Sequence, residues 1–168
     1  KGSVLTSRVT FTAVAGTAYQ ISVDGYKGAS GLIGLAITSN NLLNDNFANR
    51  IALSGANISA AGSNVGASLE TGEPRNAGVV GGSSVWWSWT APAAGLVSIT
   101  TAGSTFDTTL GIYTGSNLTT LAPIASNDDE SGSILTSRLT FAAIAGQVYQ
   151  ISVDGYGGAT GNIALQLQ

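Results

Sequence analysis

Short runs in which apolar and polar residues alternate, separated by glycine-rich breaks, make up most of the chain. Tyr19, Ile21 and Val23 alternate with Gln20, Ser22 and Asp24, and a period of two places one set on each face of a strand. Leu5, residues 8–11 and Ala13 give a first strand, 18–23 a second and 31–37 a third, after a turn at 24–28. A polar linker follows at 38–44. Residues 45–50 mark an entry, with Phe47 and Ile51 as anchors, and 52–63 reads as one loosely alternating strand. Residues 64–82, rich in Gly and Asn and holding Glu70, Glu73, Pro74 and Arg75, read as an irregular excursion. Beyond it, strands are expected at 83–90, 95–101, 106–113, 118–126, 133–142, 147–154 and 161–167. In 83–90 the period puts Val85, Trp87 and Trp89 toward a core and turns Trp86 to the other face. Many short strands at 8–12-residue spacing imply an all-β fold, an antiparallel sandwich of jelly-roll type. No amphipathic helical run competes with it.

The last three strands occur twice. Tyr149-Gln-Ile-Ser-Val-Asp-Gly-Tyr156 repeats Tyr19-Gln-Ile-Ser-Val-Asp-Gly-Tyr26 without a change, and Ser133–Phe141 echoes Ser3–Phe11. Sliding 1–38 onto 131–168, a constant offset of 130, gives 24 identities in 38 positions. Self-similarity at a fixed period is the mark of a repeat architecture. The expectation is one complete module at 39–168, preceded by the closing strands (1–38) of another repeat, or by strands donated to a neighbouring subunit. Three short strands without partners are unstable alone.

Composition narrows the function classes. Only 9% of residues are charged, the net charge is −3 and there are six basic residues, so no basic surface for nucleic acid is available. No apolar stretch is long enough to span a membrane as a helix. The chain has no Cys, Met or His. That removes disulfides, the thiol nucleophile and the commonest general base, and it points away from an enzyme. The Gly-, Ser-, Thr- and Asn-rich remainder suits an extracellular β-protein.

Several ordered segments carry a family likeness: Asp45-Asn-Phe47, Gly78-Val-Val-Gly-Gly82, Ser84-Val-Trp-Trp-Ser-Trp-Thr-Ala-Pro92, Phe106-Asp-Thr-Thr-Leu110, Asn127-Asp-Asp129 and 149–155. Together they resemble the bacterial pre-peptidase C-terminal domain in its tandem-repeat form from large secreted proteins. The resemblance spans 39–168 in full and 1–38 as a truncated copy. It implies a secreted, non-catalytic β-sandwich at the bacterial cell surface, used for structure, adhesion or accessory binding.

Two places attract candidate chemistry. Asp107, Asn127, Asp128, Asp129 and Glu130 gather hard oxygen donors on loops, the ligand type Ca²⁺ requires. Turn formation alone also favours such residues. Trp86, with Glu73 and Arg75 of the excursion, is a candidate ligand site, against the alternative that Trp86 merely packs under a loop. Asp24 and Asp154 are expected to set hairpin turns. The functional expectation is an extracellular structural or adhesive repeat, a unit of a surface fibre or filament. Its partners are copies of itself or adjacent repeats, joined head to tail by tandem repetition or strand complementation. The alternative is an accessory module that attaches a secreted hydrolase or peptidase to polysaccharide or protein.

Overall fold

A computed structural model describes residues 6–9, 11, 17–37 and 42–168. The chain divides into two compact units, Lys1–Thr38 and Ser39–Gln168.

In the second unit the alternation becomes nine strands: β1 (Ile51–Leu53), β2 (Ile58–Ser63), β3 (Val85–Thr90), β4 (Gly95–Thr100), β5 (Thr108–Thr114), β6 (Ala122–Asn127), β7 (Arg138–Ala143), β8 (Val148–Gly155) and β9 (Asn162–Leu167). They form an all-β sandwich. One sheet has the order β1-β3-β8-β5-β6 and the other β2-β9-β4-β7. Every neighbouring pair is antiparallel except β1 with β3. Val85, Trp87 and Trp89 do point inward, packing with Ile99, Ile112, Phe141, Ile151 and Leu165 between the sheets. Strand β7 alternates strictly between exposed and buried residues, because one face meets the core and the other solvent.

β8 breaks that rule. All of its residues after Val148 are buried. It lies between β3 and β5 in the middle of its sheet, with the core on one face and the 64–82 excursion on the other. The outer face therefore buries Gln150, Ser152 and Asp154.

Three local expectations are corrected. Residues 52–63 are two strands, not one: the chain turns at Gly55, with φ of 108°, and passes from one sheet to the other. The strand expected at 118–126 starts at Ala122, because Leu118–Thr120 coils into a 3-10 turn capped by the Asn117 side chain. Asp154 does not set a hairpin. It sits in β8 opposite Thr109, and its carboxylate accepts the backbone N–H groups of Gly82, Ser83 and Gly155.

The first unit shows what the repeated sequence does by itself. Its described residues hold one 3-10 turn, Tyr26–Gly28, and no strand, so the described residues of 8–11, 18–23 and 31–37 are not in strands there. Leu5, Thr10, Ala13 and linker residues 38–41 lie outside the described residues. The turn is local, and it matches its repeat at Tyr156–Gly158. Gly25 N–H meets Asp24 Oδ1 at 2.7 Å as Gly155 N–H meets Asp154 Oδ1, and Lys27 adopts φ of 53° where Gly157 has 59°. Strands, by contrast, exist only through pairing across the ladder. The apolar residues of the first unit consequently stay exposed. Ile21 is 52% exposed against 0% for Ile151, Val23 50% against 0% for Val153, and Leu35 58% against 1% for Leu165.

Identical side chains should therefore carry unequal weight. Ile151→Ala should lower the unfolding free energy of the second unit by about 2–5 kcal/mol, whereas Ile21→Ala should change it by less than about 0.5 kcal/mol. All three tryptophans lie in β3, so urea unfolding followed by tryptophan fluorescence reports on that unit alone. Equal losses from the two substitutions would contradict this division.

Candidate functional site

β5 and β6 run antiparallel with Leu110 opposite Asn127. The residue before β5 and the residues after β6 therefore meet at one end of the sheet. That register brings Asp107 against Asp128 and Asp129, with a carboxylate oxygen from each lying within 4.8 Å of the others. The Oδ1 atoms of all three are buried and accept no hydrogen bond. Ca²⁺ holds oxygens at about 2.4 Å, so ligands on opposite sides of one ion stand about 4.8 Å apart. These three carboxylates fit a hard divalent cation, with water and further oxygens completing the 6–8 positions such an ion takes.

Two other expected ligands are turned to different tasks. Asn127 Oδ1 accepts the backbone N–H of Arg138 at 2.9 Å, and its Nδ2 donates to the Asp129 carbonyl. Glu130 pairs with the Arg138 guanidinium at 2.7 Å. Both fix the loop that carries Asp128 and Asp129. The backbone carbonyl of Asp128 is also held, by the buried Ser137 hydroxyl, which donates to it at 2.8 Å. Loss of water around Asp107 raises its pKa above the usual carboxylate range, and the Asp129 charge adds to the effect. Asp128 is raised for the same reason, with Asp129 and then Asp107 contributing. Removing a carboxylate from water and placing another beside it both disfavour ionisation. A bound cation reverses that penalty.

The second expected site is a different object. Trp86 is fully buried. Phe47 meets its ring edge-on at 5.1 Å and Tyr113 lies against it at 6.1 Å, which leaves no ring face for a ligand. Its indole N–H donates to Glu73 at 3.2 Å, and the Ser84 hydroxyl donates to the other Glu73 oxygen. Trp86 and Glu73 are thus brought together, but as the underside of a lid. Arg75 stays exposed on a cleft of about 310 Å³ that Leu69, Val80 and Asp154 also line, apart from the Trp86 ring. The candidate stacking role of Trp86 is corrected to packing, as large aromatics buried under a loop usually serve.

The residues that hold this lid are largely ones the alternation could not reveal. Asn76 enters the outer face of the sheet, where its amide donates to the Thr109 and Ser152 carbonyls and the Ser152 hydroxyl, and its oxygen accepts Tyr113 O–H at 2.8 Å. A side chain at Gly111 would collide with Asn76 and Tyr113, so that strand position needs glycine. Asn64 ties Ser83 and Ala159 carbonyls to the Gly161 N–H. Asn44 donates to the Trp86 carbonyl. Asp45 and Glu70 accept the backbone N–H groups of Ser68 and Phe47. The available signal was a long loop holding Asn and Glu, a loop type more often anchored than idle.

Burial pushes the Glu73 carboxyl above its usual range, against the opposing pull of its Ser84 and Trp86 hydrogen bonds. Burial, with the Glu73 charge second, pushes the Tyr113 phenol up to about 12. A carboxyl with a raised folded pKa binds its proton more tightly folded than unfolded, so its ionisation as pH rises subtracts stability. Glu73→Gln should therefore leave the second unit as stable as wild type or more so at pH 7, because the amide oxygen still accepts the indole N–H and the amide still meets the Ser84 hydroxyl. Glu73→Ala should cost about 1–3 kcal/mol by stranding both donors. Thermal melts of both variants at pH 4.5 and 7 check this, and a Gln variant markedly weaker than wild type at pH 7 would contradict it.

No protein-family model matches the sequence, and no curated protein matches it. Among solved structures, the chain is similar to a periplasmic inhibitor of g-type lysozyme from Aeromonas hydrophila. The identity is 16% over 71% of this chain and 94% of the inhibitor, with a TM-score of 0.47. It is also similar to the pre-peptidase C-terminal domain of the collagenase from Bacillus anthracis, at 18% identity over 71% of this chain and 92% of that domain, with a TM-score of 0.43. The second is a solved example of the family that the ordered sequence segments resemble.

Proposed function

We propose that the chain is a non-catalytic structural unit of an extracellular fibre, one β-sandwich module in a head-to-tail series. A single observation carries the reading. The closing strands of the 39–168 module occur a second time at 1–38, at a constant offset of 130 and with 24 identities in 38 positions. Repetition at a fixed offset is the mark of modules joined in series. A sparsely charged composition rich in Ser, Thr and Asn suits reach and passive contact better than chemistry. The accessory-binding alternative placed its site at Trp86 with Glu73 and Arg75 of the 64–82 excursion; the Trp86 ring is buried under Phe47 and Tyr113, which leaves that alternative only the cleft beside Arg75.

The mass of the native polypeptide under denaturing conditions, together with electron microscopy of surface material from its source, tests this reading. The expected result is strings of evenly spaced modules. Isolated modules attached to a hydrolase would overturn it.

In the same reading, Asp107, Asp128 and Asp129 hold a Ca²⁺ ion that fastens the β5–β6 end of each module. Support comes from their three unpartnered buried oxygens and from the spacing. At pH 7, free Ca²⁺ a hundredfold above its Kd should stabilise the second unit by about 2.7 kcal/mol over the chelated protein. Raised folded pKa values at Asp107 and Asp128 make the chelated protein lose stability as pH rises from the ordinary carboxylate range toward neutrality. The calcium effect should accordingly shrink toward pH 4. Asp128→Asn should remove the calcium response while making the chelated protein no weaker at pH 7. Melts with calcium and with chelator check both, and an unchanged melting temperature with saturating Ca²⁺ would sink the assignment.

A further inference from the structure

Building on the serial reading, we infer that residues 7–37 are a complete, interchangeable closing segment. Their partner is a frame like that of residues 42–127 that has no closing strands of its own. The inference starts from where β7, β8 and β9 sit. β8 lies between β3 and β5, β9 between β2 and β4, and β7 on the outer side of β4. Without them the first sheet falls into β1-β3 and β5-β6, and the second into isolated β2 and β4. A frame without a closing segment therefore has no continuous sheet, and its vacancy spans both layers.

Residues 7–37 carry what such a vacancy recognises. Val9, Phe11, Tyr19, Ile21, Val23, Ile33, Leu35 and Ile37 stand where Leu139, Phe141, Tyr149, Ile151, Val153, Ile163, Leu165 and Leu167 enter the second unit's core. All eight are exposed in the first unit. The polar positions correspond as well. Ser137 is buried among the Thr101 and Thr108 hydroxyls and accepts and donates within that cluster, and its counterpart is Ser7. Asp154 clamps the Gly82 and Ser83 amides, and its counterpart Asp24 already holds the same local bond to the next glycine. The turn between the second and third strands is formed in advance, which lowers the ordering cost of docking. The partner frame thus needs a Gly-Gly-Ser loop for Asp24 and a pair of threonine hydroxyls for Ser7.

Counting strands separates this partner from a second intact copy. An intact copy already fills its frame with 138–167, so exchanging one segment for the other frees as many apolar residues as it covers. Only an unfilled frame yields a net gain. Main-chain pairing would give affinity and the alternate pockets specificity, as in strand addition generally.

The test vacates the β8 place of such a frame inside the full chain. Ile151→Asp with Val153→Asp puts two carboxylates at fully buried core positions and disables the resident β8. The chain has no cysteine, so Gln20→Cys with Ser88→Cys adds one reporter pair. Ser88 faces Gln150 across β3–β8, and Gln20 is the counterpart of Gln150. The expected result is a retained cooperative tryptophan transition, with a disulfide between the two introduced thiols forming in most of the protein. Non-reducing denaturing gels then separate closure within one chain from closure between chains, and either supports the inference. Adding Ile21→Asp and Val23→Asp should abolish both signals, and with the resident β8 intact the disulfide should not form. Loss of the transition in the first variant at all concentrations, as complete as in the second, overturns the inference. So does a folded first variant without the disulfide. Either failure leaves the serial reading standing if native material is a string of modules, whereas isolated modules would remove that reading even if exchange succeeds.

Discussion

The sandwich depends on β8 lying between β3 and β5. Two strands pair with it in register over six residues each, and both of its faces are covered. Its inner residues Tyr149, Ile151 and Val153 join the main core. On its outer face, Ser152 and Asp154 receive the irregular excursion through Asn76 and the Gly82–Ser83 amides, while Gln150 donates to the Gly115 carbonyl. A strand buried on both sides normally reads as a continuous apolar run. Here the outer face is polar and two of its three side chains are engaged by one loop, so packing of the sheet and placement of that loop are one event. The Glu73 and Trp86 arrangement follows from it, since the loop that inserts Asn76 also carries Glu73 over the indole.

Much of this was legible in the alternation. Period two fixes strands, and it separated Val85, Trp87 and Trp89 from Trp86 correctly, because β3 carries large side chains whose burial dominates other terms. It failed where a residue's environment comes from a segment distant in sequence. Nothing in Gln150-Ile-Ser-Val-Asp154 announces that the polar members are buried; for Ser152 that depends on Asn76, which precedes it by 76 residues. The division of 52–63 into two strands turned on the conformation of Gly55 alone. For the acidic cluster, residue type picked out side chains that the fold brings close together. The register of β5 against β6 then selected Asp107, Asp128 and Asp129, while Arg138 drew Glu130 and Asn127 to its own side. Sequence spacing does not encode that competition.

Besides Glu73, carboxylates withdrawn from water appear in two places with opposite solutions. Asp154 receives three backbone amides, which replace the hydrogen bonds that burial takes away. Asp107 and Asp128 face Asp129 across a few ångströms with oxygens that accept nothing, so their protons are held more tightly than usual. The same fold thus satisfies one acid from its own backbone and leaves three others with buried oxygens that accept no hydrogen bond. The first arrangement is self-contained. The second makes the β5–β6 end sensitive to its surroundings.

The duplicated sequence separates local from non-local folding information within one molecule. Tyr26–Gly28 and Tyr156–Gly158 coil alike because the Asp-Gly step and the left-handed residue after Tyr suffice, even with Lys27 in a backbone region that costs a non-glycine residue about 1–2 kcal/mol. The flanking runs differ completely in burial, because a strand's conformation is only as stable as the ladder beside it. Exposed apolar side chains such as Ile21 and Val23 are a hazard, since alternating apolar runs template aggregation. If residues 7–37 close a partner frame, the run from Tyr19, with its core pattern intact down to the Asp-Gly step, is the surface that such a partner reads. The more closely the run matches β8, the more narrowly that partner is specified. In the layer that takes the β8 counterpart, it would present two parallel-running edges, like those of β3 and β5, on either side of the vacant position.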